Sequence, residues 1–308
     1  MKYKISKEFF PFSHFTPPIS EKFLAVAVPH MKTPKYLFKD KALDVSCHRV
    51  ESYDGATIEC FLLAPRAIDT PAPCLIYLHG GGFVLAAAGY HYKNAMRYAK
   101  EVGCKVVFVN YRLAPKHPHP IFFEDSYAAL CWAYENAETL GIDPARIAIG
   151  GDSAGSTLAV GTCLMAKDRN HPVKLCFQML PYPFLYARNN SESCKKFTDT
   201  PMWNSTLSTR IAPMTRVDPS DPNYIYYSPV ESESLHGLPP AYVETAEFDC
   251  LHDDGILYVQ RLREEGIAVE LNETKGTMHG FDIVQGAKTT KAALDARIRF
   301  MKKQFYGE

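Results

Sequence analysis

Short apolar runs alternate along this chain with longer amphipathic segments. The runs at residues 74–79, 104–111 and 147–151 have the length and composition of buried strands. Helical periodicity appears at residues 125–137 and 253–265. Because parallel strands are usually joined by a crossover helix, this alternation is typical of a parallel sheet. The sequence predicts an α/β fold with a mostly parallel central sheet and helices on both faces.

Other parts of the chain depart from this alternation. Residues 47–53 and 57–63 flank an Asp-Gly pair that suits a tight turn, which predicts an antiparallel hairpin. Between residues 185 and 238 the rhythm of strands and helices is lost, and prolines, polar residues and aromatic residues take its place. Residues 1–45 carry too many phenylalanines for a disordered tail, and we expect them to pack over a pocket mouth or along the side of the domain.

The composition argues against several kinds of partner. Of the 308 residues, 46% are hydrophobic and 22% are charged, which is enough to bury a large core. The 34 basic and 34 acidic residues give a formal net charge of zero. No wide field of one sign is then available to hold phosphate groups, so we expect neither nucleic acid nor an anionic membrane as a main partner.

The cysteines and the N-terminal residues bear on the cellular compartment. Nine cysteines, an odd number without a C-x-x-C pair, lie mostly in apolar runs and indicate reduced core residues. The longest apolar run near the N-terminus, residues 23–28, is too short for a signal or membrane segment. We therefore expect a cytoplasmic protein.

The apolar run at residues 147–151 leads directly into the sequence Gly151-Asp-Ser-Ala-Gly155. A serine between two glycines at a tight strand-to-helix turn is the sequence of a nucleophile elbow, because strand and helix nearly touch there and tolerate only small residues. Ser153 would then be exposed, strained and at a helix N-terminus. A glycine-rich turn with a helix-capping serine is the simpler alternative, since glycine and serine are common.

A second glycine-rich segment supports the elbow. Gly80, Gly81 and Gly82 directly follow the apolar run at residues 74–79. Three glycines leave backbone N–H groups bare, so the loop can aim amide donors at the negative oxygen that forms when a serine attacks a carbonyl. We predict an oxyanion hole formed by Gly81 and Gly82 together with the amide of Ala154, with Gly80 shaping the turn.

The same glycines admit a rival interpretation as a dinucleotide-binding loop. Gly80 and Gly82 match the first two glycines of the G-x-G-x-x-G/A fingerprint. The third place, however, is occupied by Leu85, which is too bulky for the close helix–strand packing needed there. The next apolar run, residues 104–111, also lacks the terminal acidic residue that would hold a ribose. We therefore expect no cofactor.

An acid and a base follow later in the chain. Asp249 ends a strand-like run, and His279 lies in a glycine-flanked loop soon after another such run. Together with Ser153 they appear in the order Ser, Asp, His, which is one of the chain orders of catalytic triads. Asp253 and Asp254 are alternative acids, but they precede an amphipathic run and resemble first-turn charges that favour the helix dipole.

A pair of histidines, His117 and His119, raises the question of a metal ion. The proline between them fixes an extended chain, and no carboxylate or thiol cluster accompanies them in the sequence. Serine chemistry needs no ion. We therefore predict no metal.

Together these motifs make the chain similar to a known family. It resembles the hormone-sensitive-lipase-like carboxylesterases of the α/β-hydrolase fold, in the branch whose elbow reads G-D-S-A-G. The resemblance rests on five motifs, in this order: His79-Gly-Gly-Gly-Phe83, Tyr111-Arg-Leu-Ala-Pro115, Gly151-Asp-Ser-Ala-Gly155, Glu247-Phe-Asp249 and Met278-His-Gly-Phe281. One departure is Cys250, which stands where the family often has a proline after the catalytic acid.

The resemblance implies a fold and a division of the chain. The α/β-hydrolase core would comprise residues 46–184 and 239–308. A helical cap would be built from residues 1–45 and from an insertion at residues 185–238. Such a cap would cover the site and suit small substrates better than a lipid surface.

The expected reaction is a two-step acyl transfer. His279 accepts the proton of Ser153 as the serine attacks an ester carbonyl, Asp249 orients the histidine, and water then releases the acid. The resemblance implies short to medium acyl esters, and acetyl esters are the first candidates. Amide or carbamate hydrolysis on the same triad is one alternative, and a small-molecule receptor without activity is another.

Substrate contacts and assembly are less determined by the sequence. Phe83, Trp203 and Tyr224 are candidates for the walls of an ester pocket, although such aromatic residues often serve ordinary packing. An exposed edge strand near the C-terminal part of the sheet would permit a homodimer, but no residue demands one.

Overall fold

A computed structural model of the protein describes residues 2–20, 22, 24, 35–215 and 217–307. These residues contain an eight-stranded sheet in the order β1-β2-β4-β3-β5-β6-β7-β8. The strands are β1 (Leu43–Glu51), β2 (Thr57–Pro65), β3 (Ala72–Leu78), β4 (Lys105–Asn110), β5 (Ile142–Gly151), β6 (Gln178–Pro181), β7 (Ala241–Phe248) and β8 (Val269–Met278).

The sheet is parallel except at one side. β2 pairs antiparallel with both β1 and β4, and the other neighbouring pairs are parallel. β1 and β2 form the predicted hairpin, in which Glu51 lies opposite Thr57 and Gly55 has a φ of 75° in the turn. All seven residues of β3 are buried, as expected for a strand covered on both faces. The predicted α/β architecture is confirmed.

Helices cover both faces of the sheet. They are α1 (Gly89–Tyr98), α2 (Ile121–Glu135), α3 (Ala137–Leu140), α4 (Ala154–Asp168), α5 (Glu192–Lys196), α6 (Ser205–Thr215), α7 (Tyr224–Tyr227), α8 (His252–Glu264) and α9 (Lys288–Tyr306). Leu75 and Tyr77 of β3 lie in an apolar cluster with residues of α1 and α9, whereas Ile76 and Leu78 lie in a second cluster with α2, α4 and α8. Side chains that alternate along the strand therefore build one core on each face.

The helix expected at residues 125–137 begins earlier, at Ile121. Phe122 and Phe123 are both fully buried, so the first turn of the helix is formed by residues that belong to the core. Asp125, the polar residue at which the sequence pattern placed the start, is also fully buried and accepts hydrogen bonds from an arginine side chain. Tertiary packing, rather than local polarity, sets this boundary.

The described residues between 185 and 238 add no strand to the sheet. They contain the short helices α5, α6 and α7, and carboxylates in the first turn of α8 anchor them. Asp254 accepts hydrogen bonds from the N–H groups of Leu185 and Tyr186, both at 3.2 Å. Asp253 accepts one from the N–H group of Ser193 at 2.8 Å. This segment is therefore fixed to the core next to the end of β7.

The described N-terminal residues pack against later parts of the chain. The N–H group of Ser6 donates to the carbonyl oxygen of Gly276 at 2.8 Å. Glu8 accepts a hydrogen bond from the first N–H group of α9 at 2.7 Å. Lys2 lies 2.8 Å from the carboxylate of Asp199, a residue between α5 and α6. The N-terminal residues thus contact both the end of β8 and the segment of residues 185–238.

Part of one prediction lies outside the described residues. The cap expected at residues 1–45 includes residues 21, 23 and 25–34, and the apolar run at residues 23–28 falls mostly in that gap. None of the helices in the described ranges combines the length and the apolar character that a membrane span needs.

Candidate active site

Ser153 stands at the sharp turn between β5 and α4. It is only 7% exposed, so the prediction of an exposed serine is wrong, because residues that line the neighbouring cavity, Phe184 and Trp203 among them, fold over it. Its backbone has a φ of 57° and a ψ of −120°, a conformation that non-glycine residues rarely adopt. A Cβ atom on Gly151 or Gly155 would lie 2.1 Å or 2.0 Å from the carbonyl oxygen of Leu78, so a side chain fits at neither position. The close contact between β3 and the first turn of α4 therefore requires both glycines, as a nucleophile elbow does.

The structure brings the three predicted triad residues together. Ser153 Oγ lies 2.8 Å from His279 Nε2, and His279 Nδ1 lies 2.7 Å from Asp249 Oδ2. Asp249 follows β7 and His279 follows β8, so both residues lie with the serine at the carboxyl ends of parallel strands. Asp249 is fully buried, and its Oδ1 accepts a further hydrogen bond from the N–H group of Leu251 at 2.9 Å. A ring that donates from Nδ1 to a carboxylate presents the Nε2 lone pair to the serine hydroxyl and can take up its proton.

The alternative acids of the sequence analysis bind groups other than His279, whose Nδ1 pairs with Asp249. Asp253 and Asp254 occupy the first turn of α8, where they bind the N–H groups of residues 185, 186 and 193. Burial raises the pKa of Asp254 well above its usual value, although the two N–H donors oppose that shift. These carboxylates therefore hold the segment of residues 185–238 in place and do not orient His279.

The predicted oxyanion loop has an unusual backbone. Gly81, Gly82 and Phe83 have positive φ angles of 121°, 61° and 65°. Within the described residues, the N–H groups of Gly81, Gly82 and Ala154 have no hydrogen-bond acceptor. They remain available to a ligand oxygen, which is the property that the predicted hole needs.

His79 supports this loop through its imidazole ring. Nδ1 lies 2.7 Å from the carbonyl oxygen of Gly80, and the ring stacks on Tyr111 with the centroids 4.4 Å apart. The Tyr111 hydroxyl donates to the carbonyl oxygen of His79 at 2.7 Å. Burial lowers the pKa of His79 to about 3, so the ring is neutral and its Nδ1–H donates to Gly80.

Asp152, the residue before the serine, has a role that the sequence analysis missed. Its Oδ1 accepts a hydrogen bond from the Tyr77 hydroxyl at 2.7 Å, and its Oδ2 lies 3.0 Å from His91 Nε2. Burial raises the pKa of Asp152, but His91 and the hydrogen bond from Tyr77 outweigh burial and lower it to about 2. The partners lie 75 and 61 residues away in the chain, so no local pattern marks the interaction.

A cavity of about 210 Å³ lies beside Ser153. The predicted contact residues Phe83, Trp203 and Tyr224 all line it. Among the described residues in its walls none is charged, and neither the histidine nor the aspartate of the triad is included. The cavity therefore offers an apolar space on one side of the serine.

Trp203 borders this cavity next to the oxyanion loop. A Cβ atom on Gly82 would lie 2.7 Å from Trp203 Cη2 and 3.0 Å from Ile211 Cδ1. Residues of the segment 185–238 therefore pack directly on the predicted oxyanion loop. The indole N–H group donates to Ser208 Oγ at 2.9 Å, and the indole centroid lies 6.1 Å from that of His279. Trp203 is thus held in place between the loop and the histidine.

A buried ionic cluster that the sequence did not predict lies behind His279. Arg297 Nη1 lies 2.8 Å from Asp282 Oδ2, Arg297 also pairs with Glu244, and all three side chains are 0% exposed. The Tyr182 hydroxyl donates to Asp282 Oδ1 at 2.7 Å, and the Tyr182 ring packs edge-on against His279 with the centroids 5.0 Å apart. Since Arg297 belongs to α9, the cluster joins the loop of the histidine to the last helix.

Fold and site together define an α/β-hydrolase. A family model described as alpha/beta hydrolase fold matches residues 75–283 of the chain. With this match and the relatives described next, the chain belongs to the hormone-sensitive-lipase-like family of that fold and is a carboxylic ester hydrolase.

Several relatives are similar over most of the chain. The carboxylesterase NlhH of Mycobacterium tuberculosis is 36% identical over 270 residues, which cover 86% of this chain and 83% of that protein. The ethyl acetate hydrolase of Pseudomonas putida is 32% identical over 238 residues, which cover 74% of this chain and 72% of that protein. Among solved structures, a bacterial heroin esterase superposes with a TM-score of 0.81 at 32% identity, covering 94% of this chain and 98% of that chain.

Proposed function

We propose that the protein is a serine carboxylesterase that works through an acyl-enzyme intermediate. Ser153 Oγ attacks the ester carbonyl as His279 Nε2 takes its proton, and Asp249 stabilises the resulting imidazolium. His279 gives the proton to the leaving alcohol, and a water molecule activated by the same base then releases the acid. The observation that carries this proposal is the chain of contacts at 2.8 Å and 2.7 Å from serine to histidine to aspartate.

The oxyanion of the tetrahedral intermediate would be held by backbone donors. The N–H groups of Gly81, Gly82 and Ala154 supply them, and Gly80 shapes the turn. Their lack of an acceptor within the described residues supports this assignment. In other serine enzymes a single such donor contributes roughly 10² to 10³ in kcat.

The position of the cavity indicates which half of the ester it holds. The leaving alcohol must take a proton from His279, so it lies on the histidine side of the intermediate. The cavity touches the serine and the oxyanion loop, whereas its described lining does not include His279. It therefore receives the acyl group, with Phe83, Trp203 and Tyr224 in its walls. In this view residues 185–238, together with the N-terminal segment, form a cap over the site.

Short to medium acyl esters, acetyl esters among them, are the proposed substrates. The methyl of an acetyl group is comparable in size to a water molecule, which takes up about 30 Å³. A cavity of about 210 Å³ accommodates it easily and has room for longer chains. The name of one relative, an ethyl acetate hydrolase, supports an acetyl ester, and that of another, a carboxylesterase, supports ester hydrolysis in general.

The test is hydrolysis of p-nitrophenyl esters from acetyl to octanoyl by the wild type, Ser153→Ala and an exposed-serine control, Ser220→Ala. We expect Ser153→Ala to lower kcat by about 10³-fold or more while the protein stays folded, because the nucleophile is lost. The control should match the wild type. An organophosphate should form a covalent adduct on Ser153 that mass spectrometry locates. Near-normal hydrolysis by Ser153→Ala, or an adduct elsewhere, contradicts the proposal.

Amide hydrolysis on the same triad is a second candidate. The arylacetamide deacetylase of Bos taurus is 31% identical over 268 residues, which cover 67% of this chain and 67% of that protein. Amide cleavage makes a stronger demand on His279, which must protonate a poor leaving nitrogen. A p-nitrophenyl ester and a p-nitroanilide of the same acid separate the two activities. If neither is turned over and a ligand binds tightly and reversibly, the receptor alternative is favoured.

A further inference from the structure

Asp152 lies against the first glycine of the oxyanion loop. A Cβ atom on Gly80 would lie 2.4 Å from Asp152 Oδ2, 2.8 Å from its backbone oxygen and 3.3 Å from its Cγ. These three nearest atoms all belong to Asp152, so the nucleophile elbow and the oxyanion loop are in direct contact at this point. The amide of Gly81 follows the contact by one residue.

The carboxylate of Asp152 is itself held by two other elements. Tyr77 in β3 and His91 in α1 donate to its two oxygens, at 2.7 Å and 3.0 Å. His91 Nδ1 accepts a hydrogen bond from the N–H group of Ala88 at 2.8 Å, so the ring proton resides on Nε2 and points at Asp152. Asp152 is 1% exposed, and Tyr77 and His91 are each 2% exposed. The carboxylate is therefore a fixed, buried part of the structure.

We propose that Asp152 is a positioning residue for the oxyanion hole, an inference that rests on the esterase function proposed above. Asp152 is absent from the described lining of the cavity, so it acts through its neighbours. By its contact with Gly80 it sets the separation between the Gly81 amide on the loop and the Ala154 amide on the elbow. Both donors must lie about 2.7–3.1 Å from one oxygen, so a displaced loop loses stabilisation of the transition state.

Contact rather than charge is the property on which this role depends. A carboxylate close to a developing oxyanion repels it, so the negative charge of Asp152 gives no assistance. Asparagine has the same shape and can accept from His91 through Oδ1, while the Tyr77 hydroxyl rotates to accept from the amide. Asp152→Asn therefore preserves the side-chain contact with Gly80, whereas Asp152→Ala removes it and leaves only the contact of the backbone oxygen.

The test measures hydrolysis of p-nitrophenyl esters and inhibition by a trifluoromethyl ketone. In the inhibited enzyme Ser153 Oγ bonds to the ketone carbon, its proton passes to His279, and the hemiketal oxyanion uses the same N–H donors as the intermediate. We expect Asp152→Ala to lower kcat by about 10- to 100-fold, to change KM by less than about twofold, and to weaken the inhibitor by the same factor as kcat. Asp152→Asn should keep kcat within about threefold of the wild type, because the contact is preserved.

The two proposals fail in different ways. Lack of ester turnover by the wild type, or full activity in Ser153→Ala, overturns the esterase function itself. Wild-type kcat and inhibitor affinity in Asp152→Ala overturn only the positioning role. Equal losses in Asp152→Asn and Asp152→Ala also overturn it, because charge would then matter more than contact. If Asp152→Ala does not fold, Asp152→Asn decides, since a loss of kcat or inhibitor affinity well beyond threefold in that variant contradicts a role that depends on contact.

Discussion

Ser153 combines the expected nucleophile with a strained backbone. A φ of 57° in a non-glycine residue costs about 1–3 kcal/mol, and the surrounding structure must offset this cost. The glycine contacts with β3 and the hydrogen bond from the Ser153 N–H group to the carbonyl oxygen of Pro181, at 3.0 Å, hold the turn in place. The strained turn places the hydroxyl next to His279, so stability is given up where the proposed chemistry requires it.

A comparison of two variants that lack the Ser153 hydroxyl measures this strain. Ser153→Gly should be more stable than Ser153→Ala by about 1 kcal/mol in the free energy of unfolding, because glycine adopts a positive φ freely whereas alanine does not. Both variants lack the hydroxyl, so its hydrogen bond drops out of the difference. Urea denaturation of the two proteins gives the value. Equal stabilities, or a more stable alanine variant, would show that the turn is not strained.

Burial of His79 makes stability depend on pH. Its pKa is about 3 in the folded protein against an ordinary value of 6.5, so below pH 6.5 the unfolded chain binds a proton that the folded protein does not. The free energy of unfolding therefore falls as the pH falls from 6.5 towards 3, and the share of His79 approaches about 1.4 kcal/mol per pH unit.

Urea denaturation between pH 7.5 and pH 5 checks this dependence on three proteins, the wild type, His79→Asn and His236→Asn. The asparagine at position 79 does not titrate, so its stability curve should be flatter than that of the wild type over this range. His236 is exposed and serves as the control, whose curve should run parallel to that of the wild type. If the His79→Asn curve runs parallel to that of the wild type, the buried ring of His79 is not the source of the pH dependence of stability.

At the scale of residues, sequence reasoning found the groups that carry a motif and missed those that do not. Ser153 and Gly81 stand in short patterns whose spacing is imposed by one tight turn, so they could be named in advance. Asp152 stands in the same pentapeptide, but its partners are distant in sequence, and the contact with Gly80 depends on how two strands are placed side by side. Arg297 has no local signal, since an arginine in a helix is usually exposed.

At the scale of elements, the crossing of β3 and α4 is the tightest contact of the site. Gly155 lies in the first turn of α4, where alanine would normally be the better helix former by about 1 kcal/mol. A Cβ atom there would lie 2.0 Å from the carbonyl oxygen of Leu78, a backbone atom that cannot move without shifting the strand. Packing therefore opposes propensity at this position and outweighs it.

Two glycine-to-alanine substitutions in helical first turns test this balance. Gly155→Ala should lower the free energy of unfolding by about 3 kcal/mol or more and should reduce ester turnover, because the helix must move away from β3. Gly89→Ala, at the start of α1, has no atom within 4 Å of the new Cβ and should be neutral or slightly stabilising. Thermal unfolding of both proteins compares them. Equal changes in the free energy of unfolding for the two variants would contradict the explanation from close contact.

Elements were predictable where the chain repeats a simple period and less so where tertiary contacts set the ends. The hairpin of β1 and β2 follows from alternation around an Asp-Gly turn. The strand-like run expected before His279 extends as β8 to Met278, because β8 keeps pairing with β7 up to the pair Phe248 and Met278. β8 is an edge of the sheet, as expected, and the homodimer that this edge would permit remains a prediction.

At the scale of the whole molecule, the cluster around Arg297 ties distant parts of the chain together. Glu244 comes from β7, Asp282 from the loop after His279, and Arg297 from α9. Buried charges of this kind are stable only as a complete set, because each one loses its hydration on folding. The cluster thus couples the position of the loop after β8, which contains His279, to the docking of α9.

Removal of Arg297 should therefore strongly lower the free energy of unfolding. Arg297→Met leaves two buried carboxylates without their cation, and we expect a loss of about 3–5 kcal/mol in the free energy of unfolding. Arg299→Met, on the exposed side of the same helix, should change stability by less than about 0.5 kcal/mol. Chemical denaturation of both proteins provides the comparison. A small effect of Arg297→Met would contradict the view that the buried cluster needs its cation.

The overall architecture was predictable because the alternation of strands and helices admits few topologies. The contacts of residues 185–238 were not, since this segment has no period and its anchors, Asp253 and Asp254, resembled ordinary first-turn charges. Its division from the core at residues 184 and 238 remains a prediction. Trp203 and Tyr224 were named as aromatic residues of the segment, and their place on the cavity wall depends on how it folds back onto the core.

The one-sided placement of the cavity has a consequence for stereochemistry. If walls surround the acid portion of the ester and leave the alcohol portion beside the histidine, a stereocentre next to the carbonyl meets rigid aromatic surfaces on several sides. Mirror-image acids then cannot both place the carbonyl oxygen at the backbone amides, whereas mirror-image alcohols meet fewer obstacles. The enzyme should resolve racemic 2-substituted carboxylic esters more sharply than esters of racemic alcohols.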